Sequence, residues 1–330
     1  MTAGSIGEFE LIARVFAPLA ADGALGLTDD AAFYRPRPGR DLVLTKDEVV
    51  SGVHFFADDS WDAVARKALR VNLSDLAAKG ASPVGYLLAL GLPKDFTIEQ
   101  IDALGAGLAA DQAAYGISLY GGDTVRSPAG LTLSVTAIGE VKEGAMVRRG
   151  GAQVGNIIVV TGTIGDAALG LALRLDLELA GRLGLADAHR DHLLDRYLLP
   201  QPRGVLASAV ADCASGGMDI SDGLVGDLAK MAAASGVAIE IDAERVPLSS
   251  AARAAVAADP SLLVPVLTGG DDYELALSIP EAKVEAFLAV ADAAGVGAAA
   301  IGRVLQGEGI AVRGDHSALA NLGTGSYRHF

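Results

Sequence analysis

Residues 131–162 read LTLSVTAIGEVKEGAMVRRGGAQVGNIIVVTG, and the plan of the chain can be taken from this stretch. Its ends, 131–139 and 156–162, are apolar, β-branched runs closed by glycine, which predicts two strands. Between them, 143–156 (EGAMVRRGGAQVGN) is rich in glycine and charge, the composition of a connection between cores rather than of a core. The expected division is a unit over 1–150 and a second over 151–330. A chain of 330 residues is also long for one core, so two units suit its length.

Working toward the N-terminus, 41–45 (DLVLT) and 86–92 predict further strands. The segments 60–79, with Ser60 as a candidate N-cap, and 98–115 carry apolar residues at helical spacing without internal proline. Toward the C-terminus, 222–235 predicts a helix, and 237–241 and 299–304 predict strands. Both halves therefore read as α/β (α+β). A weak echo links them: Asn-Leu-Ser-Asp at 72–75 and Asp-Ile-Ser-Asp at 219–222, both amid helix-forming sequence, which leaves two related halves open.

Charge and cysteine content remove several function classes. With 41 acidic and 26 basic residues the net charge is −15, and no run of Lys and Arg offsets it. Nucleic-acid phosphates and anionic membranes are repelled by such a surface. A phosphate ligand would need cations at its site. Cys213 is the only cysteine, so an intrachain disulfide framework and a four-cysteine zinc site are excluded. The first ten residues lack a basic-then-apolar signal, and the apolar window 287–302 is short and broken by Asp292. Neither export nor a membrane span is expected, and a reducing cytoplasm fits.

The residues that suggest chemistry are aspartates. Each one beside a glycine-containing turn reads singly as a cap or turn residue. Together, Asp29-Asp30, Asp47, Asp75, Gly122-Asp123, Asp219 with Asp222, and Asp271-Asp272 recur next to predicted strand ends and turns, where α/β folds place ligands. Gathered carboxylates repel one another unless hard divalent cations compensate, and Mg²⁺ suits them best when phosphate oxygens complete its shell. Metal-assisted phosphoryl transfer is the chemistry this set points to. No GxxxxGK[ST] P-loop and no GxGxxG after a strand is present. His189-Arg190-Asp191 resembles a protein-kinase catalytic loop, but Arg196 stands where that motif wants asparagine, so the triplet reads as a charged helical face.

Other positions have a plain and a functional reading. Asn72 and Asp75 share one helical face, as a solvated stripe or as ligands. His54, between Val53 and Phe55, reads as structural or as a site residue. Tyr327 reads as packing or as an aromatic face for a cationic ligand. Arg148-Arg149 read as solvated charge or as forked donors for a nucleotide phosphate.

In order and spacing, several segments resemble the thiamine-monophosphate kinase family along almost the whole chain. They are GEFELI (7–12), DDAA (29–32), LTKDEVVSGVHF (44–55), VNLSDLAAKGASP (71–83), YGGDT (120–124), MDISDGL (218–224), GGDDYEL (269–275) and GSYRHF (325–330). The wider superfamily includes aminoimidazole ribonucleotide synthetase, selenophosphate synthetase and a hydrogenase-maturation protein, and implies a two-domain fold of the synthetase type. The resemblance implies Mg²⁺-dependent transfer of the ATP γ-phosphoryl group to thiamine phosphate without a phosphoenzyme. It implies Mg²⁺ ligands at Asp30, Thr45, Asp47, Asp75, Asp123, Asp219 and Asp222, with Lys46 contributing at most a backbone oxygen or its ammonium. Tyr115, Gly122, Asp123, Arg149 and Ser221 would meet ATP, and His54, Asp271 and Tyr327 the thiamine phosphate. It also implies a homodimer joined through its N-terminal sheets. The chain departs from the family pattern at Thr28, at Lys46, where a second threonine is usual, and at Asp271, where glutamate is usual. Two other readings stay open: a different ATP-dependent synthetase of the same superfamily, and a non-catalytic protein that binds thiamine phosphate or nucleotide.

Overall fold

The computed structural model describes residues 7–314, so Tyr327 and the 325–330 motif lie outside the described residues. The described chain divides into two compact units after Gly144, with the short segment Ala77–Gly80 grouped with the second.

In the first unit, β1 (Arg40–Val50), β2 (Ser82–Leu92), β3 (Ser118–Arg126) and β4 (Thr132–Lys142) form one sheet in the order β1-β4-β2-β3. β4 is antiparallel to both its neighbours, and β2 and β3 run parallel. Alternation along β1 buries Val43 and Val49 and leaves Leu42, Leu44, Lys46 and Glu48 exposed, so the sheet has one covered and one open face. The helix Trp61–Ala78 buries Leu69, Leu73 and Leu76 on one side. The helix Ile98–Tyr115 begins on a capping box between Thr97 and Gln100 and ends at Gly116 in the left-handed region, φ 67°.

In the second unit, β5 (Ile157–Thr161), β6 (Gly216–Asp219), β7 (Ala238–Asp242), β8 (Leu275–Ile279), β9 (Ala298–Leu305) and β10 (Gly309–Arg313) form a sheet in the order β10-β7-β9-β5-β8-β6. β10 and β7 are parallel and the other pairs antiparallel. β5 shows why both faces are buried. Ile158 and Val160 join a core with Ile239, Ile241 and the helix residues Leu228 and Met231, while Val159 joins Leu277, Ile279 and Phe287. A sheet covered on both faces reads as continuous apolar runs, which is how NIIVVTG reads.

The α/β reading holds in both units, and the expected helix over 98–115 ends where the structure ends it. Three expectations need correction. YGGDT is not a turn beside a strand but the middle of β3, and Asp47 lies within β1 rather than at its end. The echo between 72–75 and 219–222 does not extend to structure, because the first is helical and the second is a strand end followed by a bend. The Gly-Gly pair hid β3: a Cβ at Gly122 would stand 1.9 Å from the Leu88 carbonyl oxygen, so the pairing with β2 itself requires glycine there.

Candidate active site

Three groups of aspartates emerge, two in the first unit and one in the second. The first group is built on β1 and the helix that covers it. Thr45 and Asp47 point to the covered face, where the Thr45 hydroxyl donates to the Asp75 carboxylate. The Asp47 amide donates to Asn72 Oδ1 at 3.1 Å, and Asn72 Nδ2 returns to the Ala68 carbonyl at 3.0 Å. Buried Asn72 is thus a fixed strut between helix and strand, a role that its helical spacing alone did not specify. Lys46, one residue on, points to the open face and pairs with Glu48. Its ammonium therefore does not replace a cation among Thr45, Asp47 and Asp75, and only its backbone oxygen stays on that side of the question.

Asp123 belongs to the opposite face. It is exposed and stands in register with Ala89, which pairs with Ser134, which pairs with Glu48. Asp30 is exposed too, and it lines with Asp29, Gly122 and Asp123 a cavity of about 520 Å³ whose other walls include Phe33, Tyr34 and Tyr120. Within one chain, then, Asp30 and Asp123 come together, as do Thr45, Asp47 and Asp75, and the sheet separates the two sets.

The third group lies in the second unit at the end of β6. Asp219 closes the strand and is buried. Asp227, in the first turn of the helix Leu224–Ser235, accepts the amides of Ser221 and Asp222, each at 2.9 Å, through one oxygen. Its other oxygen accepts Lys230 Nζ at 2.8 Å, and the same ammonium reaches the Asp222 carboxylate. Burial pushes the Asp227 carboxyl up, against the pull of Lys230 and the Asp222 amide. Neither Asp227 nor Lys230 was singled out from sequence. The available signal was an aspartate one turn into the helix that follows SDGL.

Around this loop folds the segment before β8. The Asp271 amide donates to the Ser221 carbonyl at 2.9 Å, the Tyr273 amide to the Ile220 carbonyl at 2.8 Å, and the Ile220 amide to the Glu274 carbonyl at 2.8 Å. A Cβ at Gly270 would stand 2.2 Å from the Ser221 oxygen, so the motif's second glycine is set by this approach. Behind it, buried Glu274 accepts Arg196 at 2.9 Å, Arg203 Nε at 2.7 Å and the Thr161 hydroxyl at 2.8 Å. Arg149 is exposed, with its backbone held because its carbonyl accepts the Ser235 hydroxyl at 3.4 Å.

Two further expected residues sit in the first unit. His54 Nδ1 accepts the Val50 amide at 3.1 Å, which places the proton of the neutral ring on Nε2. Buried Lys67 donates to the His54 carbonyl at 3.0 Å and holds that turn. Tyr115, at the end of its helix, has the Arg70 guanidinium 5.5 Å from its ring centroid. Arg70 in turn donates to buried Asp111 at 2.7 and 3.0 Å, and Arg66 donates to the same carboxylate at 3.1 Å. Arg190 pairs with Asp187 and Asp191 on an exposed helical face.

Among the described residues no three His, Cys, Asp or Glu side chains gather closely enough to hold a metal ion on their own. The donors are nevertheless oxygen throughout, with two of the expected carboxylates in each group. Such a set suits Mg²⁺, which takes one or two carboxylates and completes its shell with substrate phosphates and water. No helix among the described residues is long and apolar enough to cross a membrane.

Known proteins share the two-unit fold. The family described as AIR synthase related protein, N-terminal domain, matches residues 28–141, and its C-terminal domain counterpart matches 153–315. The thiamine-monophosphate kinase of Caulobacter vibrioides is 43% identical over 308 residues, 92% of this chain and 85% of the relative. The crystal structure of thiamine-monophosphate kinase from Stenotrophomonas maltophilia K279a superposes with a TM-score of 0.84 at 40% identity, covering 94% of this chain and 98% of that one. A structure of AaThiL complexed with AMPPCP and TMP superposes with a TM-score of 0.78 at 30% identity, covering 100% and 99% of the two chains. By these matches, over both units and nearly its whole length, the chain belongs to the thiamine-monophosphate kinase family.

Proposed function

We propose that this protein transfers the γ-phosphoryl group of ATP directly to thiamine phosphate, giving thiamine diphosphate and ADP. The observation that carries the reading is the full-length likeness to a relative solved with AMPPCP, an ATP analogue, and TMP together. In the reaction an oxygen of the acceptor phosphate forms a bond to the γ-phosphorus as the bond to the β–γ bridging oxygen breaks. At neutral pH the acceptor phosphate is already ionised, so no general base is assigned.

Asp30, Thr45, Asp47, Asp75, Asp123, Asp219 and Asp222 are proposed to hold Mg²⁺, with the Lys46 carbonyl as an eighth donor. Bound Mg²⁺ would neutralise the triphosphate and keep attacking and leaving oxygens in line. Asp227 and Lys230 keep the 221–222 loop in one conformation, which presets Ser221 for nucleotide. Arg149 supplies an exposed fork for phosphate oxygens. Tyr115, backed by Arg70, and Gly122 are proposed to meet ATP. His54, Asp271 and Tyr327 are proposed to meet thiamine phosphate.

A homodimer is part of the proposal. Two observations support it: Leu42, Leu44, Leu87 and Val125 are exposed on the first unit's sheet, and the sheet separates Asp123 from Asp75 within one chain. A second copy could bring its own Asp30 and Asp123 to the first copy's Thr45, Asp47 and Asp75. The activity is tested by incubating protein, ATP, Mg²⁺ and thiamine phosphate and resolving thiamine diphosphate chromatographically. Absence of product over a range of Mg²⁺ concentrations overturns it.

A further inference from the structure

The loop that carries Asp29 and Asp30 continues over the open face of the first unit's sheet and is fastened there by groups outside the expected site. Glu140, on the central strand β4, has an almost fully buried side chain although it lies on that open face, in register with Leu42 and Ser82. It is buried because the loop covers it. The Tyr34 hydroxyl donates to one carboxylate oxygen, the Arg37 amide donates to the same oxygen at 3.0 Å, and Arg37 Nε donates to the other at 2.5 Å. A short way upstream, the Phe33 amide donates to the Gly23 carbonyl at 3.0 Å.

Tyr34 also reaches β3. Its ring meets the Tyr120 ring edge-on, with centroids 5.9 Å apart and planes at 87°. Tyr120 is the extra residue of a β-bulge: Leu119 pairs with Tyr86 and Gly121 with Leu87, and Tyr120 has no partner on β2. The bulge turns its ring over Gly85, where a Cβ would stand 2.3 Å from Tyr120 Cδ2. Two and three residues further along the same strand come Gly122 and Asp123. Burial, with the Glu140 carboxylate adding to it, pushes the Tyr34 phenol up to about 12, so the hydroxyl stays protonated and donating at any working pH.

From this geometry we infer that Tyr34 is a positioning residue, anchored by Glu140 and seated on the bulged Tyr120, that fixes the Asp30 loop against the Asp123 strand. The inference rests on the reading of Asp30 and Asp123 as metal ligands and adds to it the device that sets their spacing across the cavity. Glu140 acts through Tyr34 and Arg37, and none of the three is a metal ligand.

The test uses the full chain with Mn²⁺ and a non-hydrolysable ATP analogue, reading Mn²⁺ affinity by electron paramagnetic resonance and amide hydrogen exchange over residues 33–37. Tyr34→Ala is expected to speed exchange over 33–37 and to weaken Mn²⁺ binding by at least about five-fold. Tyr34→Phe keeps the ring on Tyr120 and leaves Glu140 to Arg37, so it recovers most of that loss. Glu140→Ala, which removes the acceptor of both Tyr34 and Arg37, is expected to behave like Tyr34→Ala. Faster exchange in Tyr34→Ala with Mn²⁺ affinity within about two-fold of the wild type overturns the positioning role and leaves the functional reading standing. A wild-type protein that binds no Mn²⁺ with the nucleotide overturns both.

Discussion

The amide of Asp271 donates to the carbonyl of Ser221 at 2.9 Å, with Asp271 in the left-handed region at φ 72°. This bond ties the segment proposed to meet thiamine phosphate to the one proposed to meet ATP. Asp271 is also where the chain departs from the glutamate usual in the family. Among residues with a Cβ, aspartate and asparagine tolerate positive φ best, because their short polar side chains bond locally. The loss of one methylene relative to the usual glutamate therefore comes with a better fit to the backbone.

Asp271→Glu should accordingly destabilise the protein by about 1 kcal/mol, while Asp271→Asn should be close to neutral for stability. If the carboxylate meets substrate, Asp271→Asn raises KM for thiamine phosphate and leaves KM for ATP near the wild type. Urea midpoints and the two KM values check this. A large rise in KM for ATP alone would assign Asp271 to the other substrate.

Asp75→Asn keeps an acceptor for the Thr45 hydroxyl and removes the charge. Turnover should fall by roughly a hundred-fold or more, with Tm moving by only about 2–4 °C. Measured kcat with a thermal scan of the same preparation decides it, and retained turnover would remove Asp75 from the proposed ligand set.

The sheet's separation of Asp75 from Asp123 leads to a complementation experiment. In the proposed homodimer, Asp75→Asn and Asp123→Asn proteins should each be inactive. Co-expressed at equal levels, half the dimers are mixed and each carries one intact site, so activity should return to about a quarter of the wild type. No recovery in isolated mixed dimers would mean that each site is built from a single chain.

Asp111 is buried and holds Arg66 and Arg70 at once, so Asp111→Ala leaves a buried guanidinium without its carboxylate. The expected cost is about 3 kcal/mol, read from denaturant unfolding. Because Arg70 backs Tyr115, a rise in KM for ATP should accompany it, whereas an unchanged KM would separate the cluster from nucleotide binding.

Asp272 gives a pH signature. It is buried and accepts the Gly165 amide at 2.8 Å, and burial, with Asp166 adding to it, holds its carboxyl well above the ordinary value near 3.8. The folded state therefore binds the proton more tightly than the unfolded one. Its contribution to stability is greatest below pH 4 and declines as pH rises toward the folded value. Asp272→Asn removes that decline, so the urea midpoint of the variant should gain on the wild type between pH 5 and pH 8. A constant gap across that range contradicts the assignment.

Periodic elements were legible from sequence and close-approach elements were not. The helices at 61–78 and 98–115 and the strands around 131–162 follow from apolar spacing and caps, which act locally. β3 did not read as a strand because Gly122 answers to the backbone of β2 and Tyr120 to a bulge, both of which are tertiary facts. The aspartates were legible as a set, but not their division by the sheet, because that requires the register from β1 through β4 and β2 to β3. The struts Asp227, Lys230 and Glu140 carry no motif of their own and become visible only through their partners, and Asn72, although part of VNLSD, shows its strut role only there.

The central claim is direct transfer between ATP and thiamine phosphate, and γ-labelled ATP tests it most directly. The label should appear in the terminal phosphate of thiamine diphosphate, matched one for one by ADP, with none retained on the protein. Label released as inorganic phosphate, or found covalently on the chain, with no labelled thiamine diphosphate would contradict it.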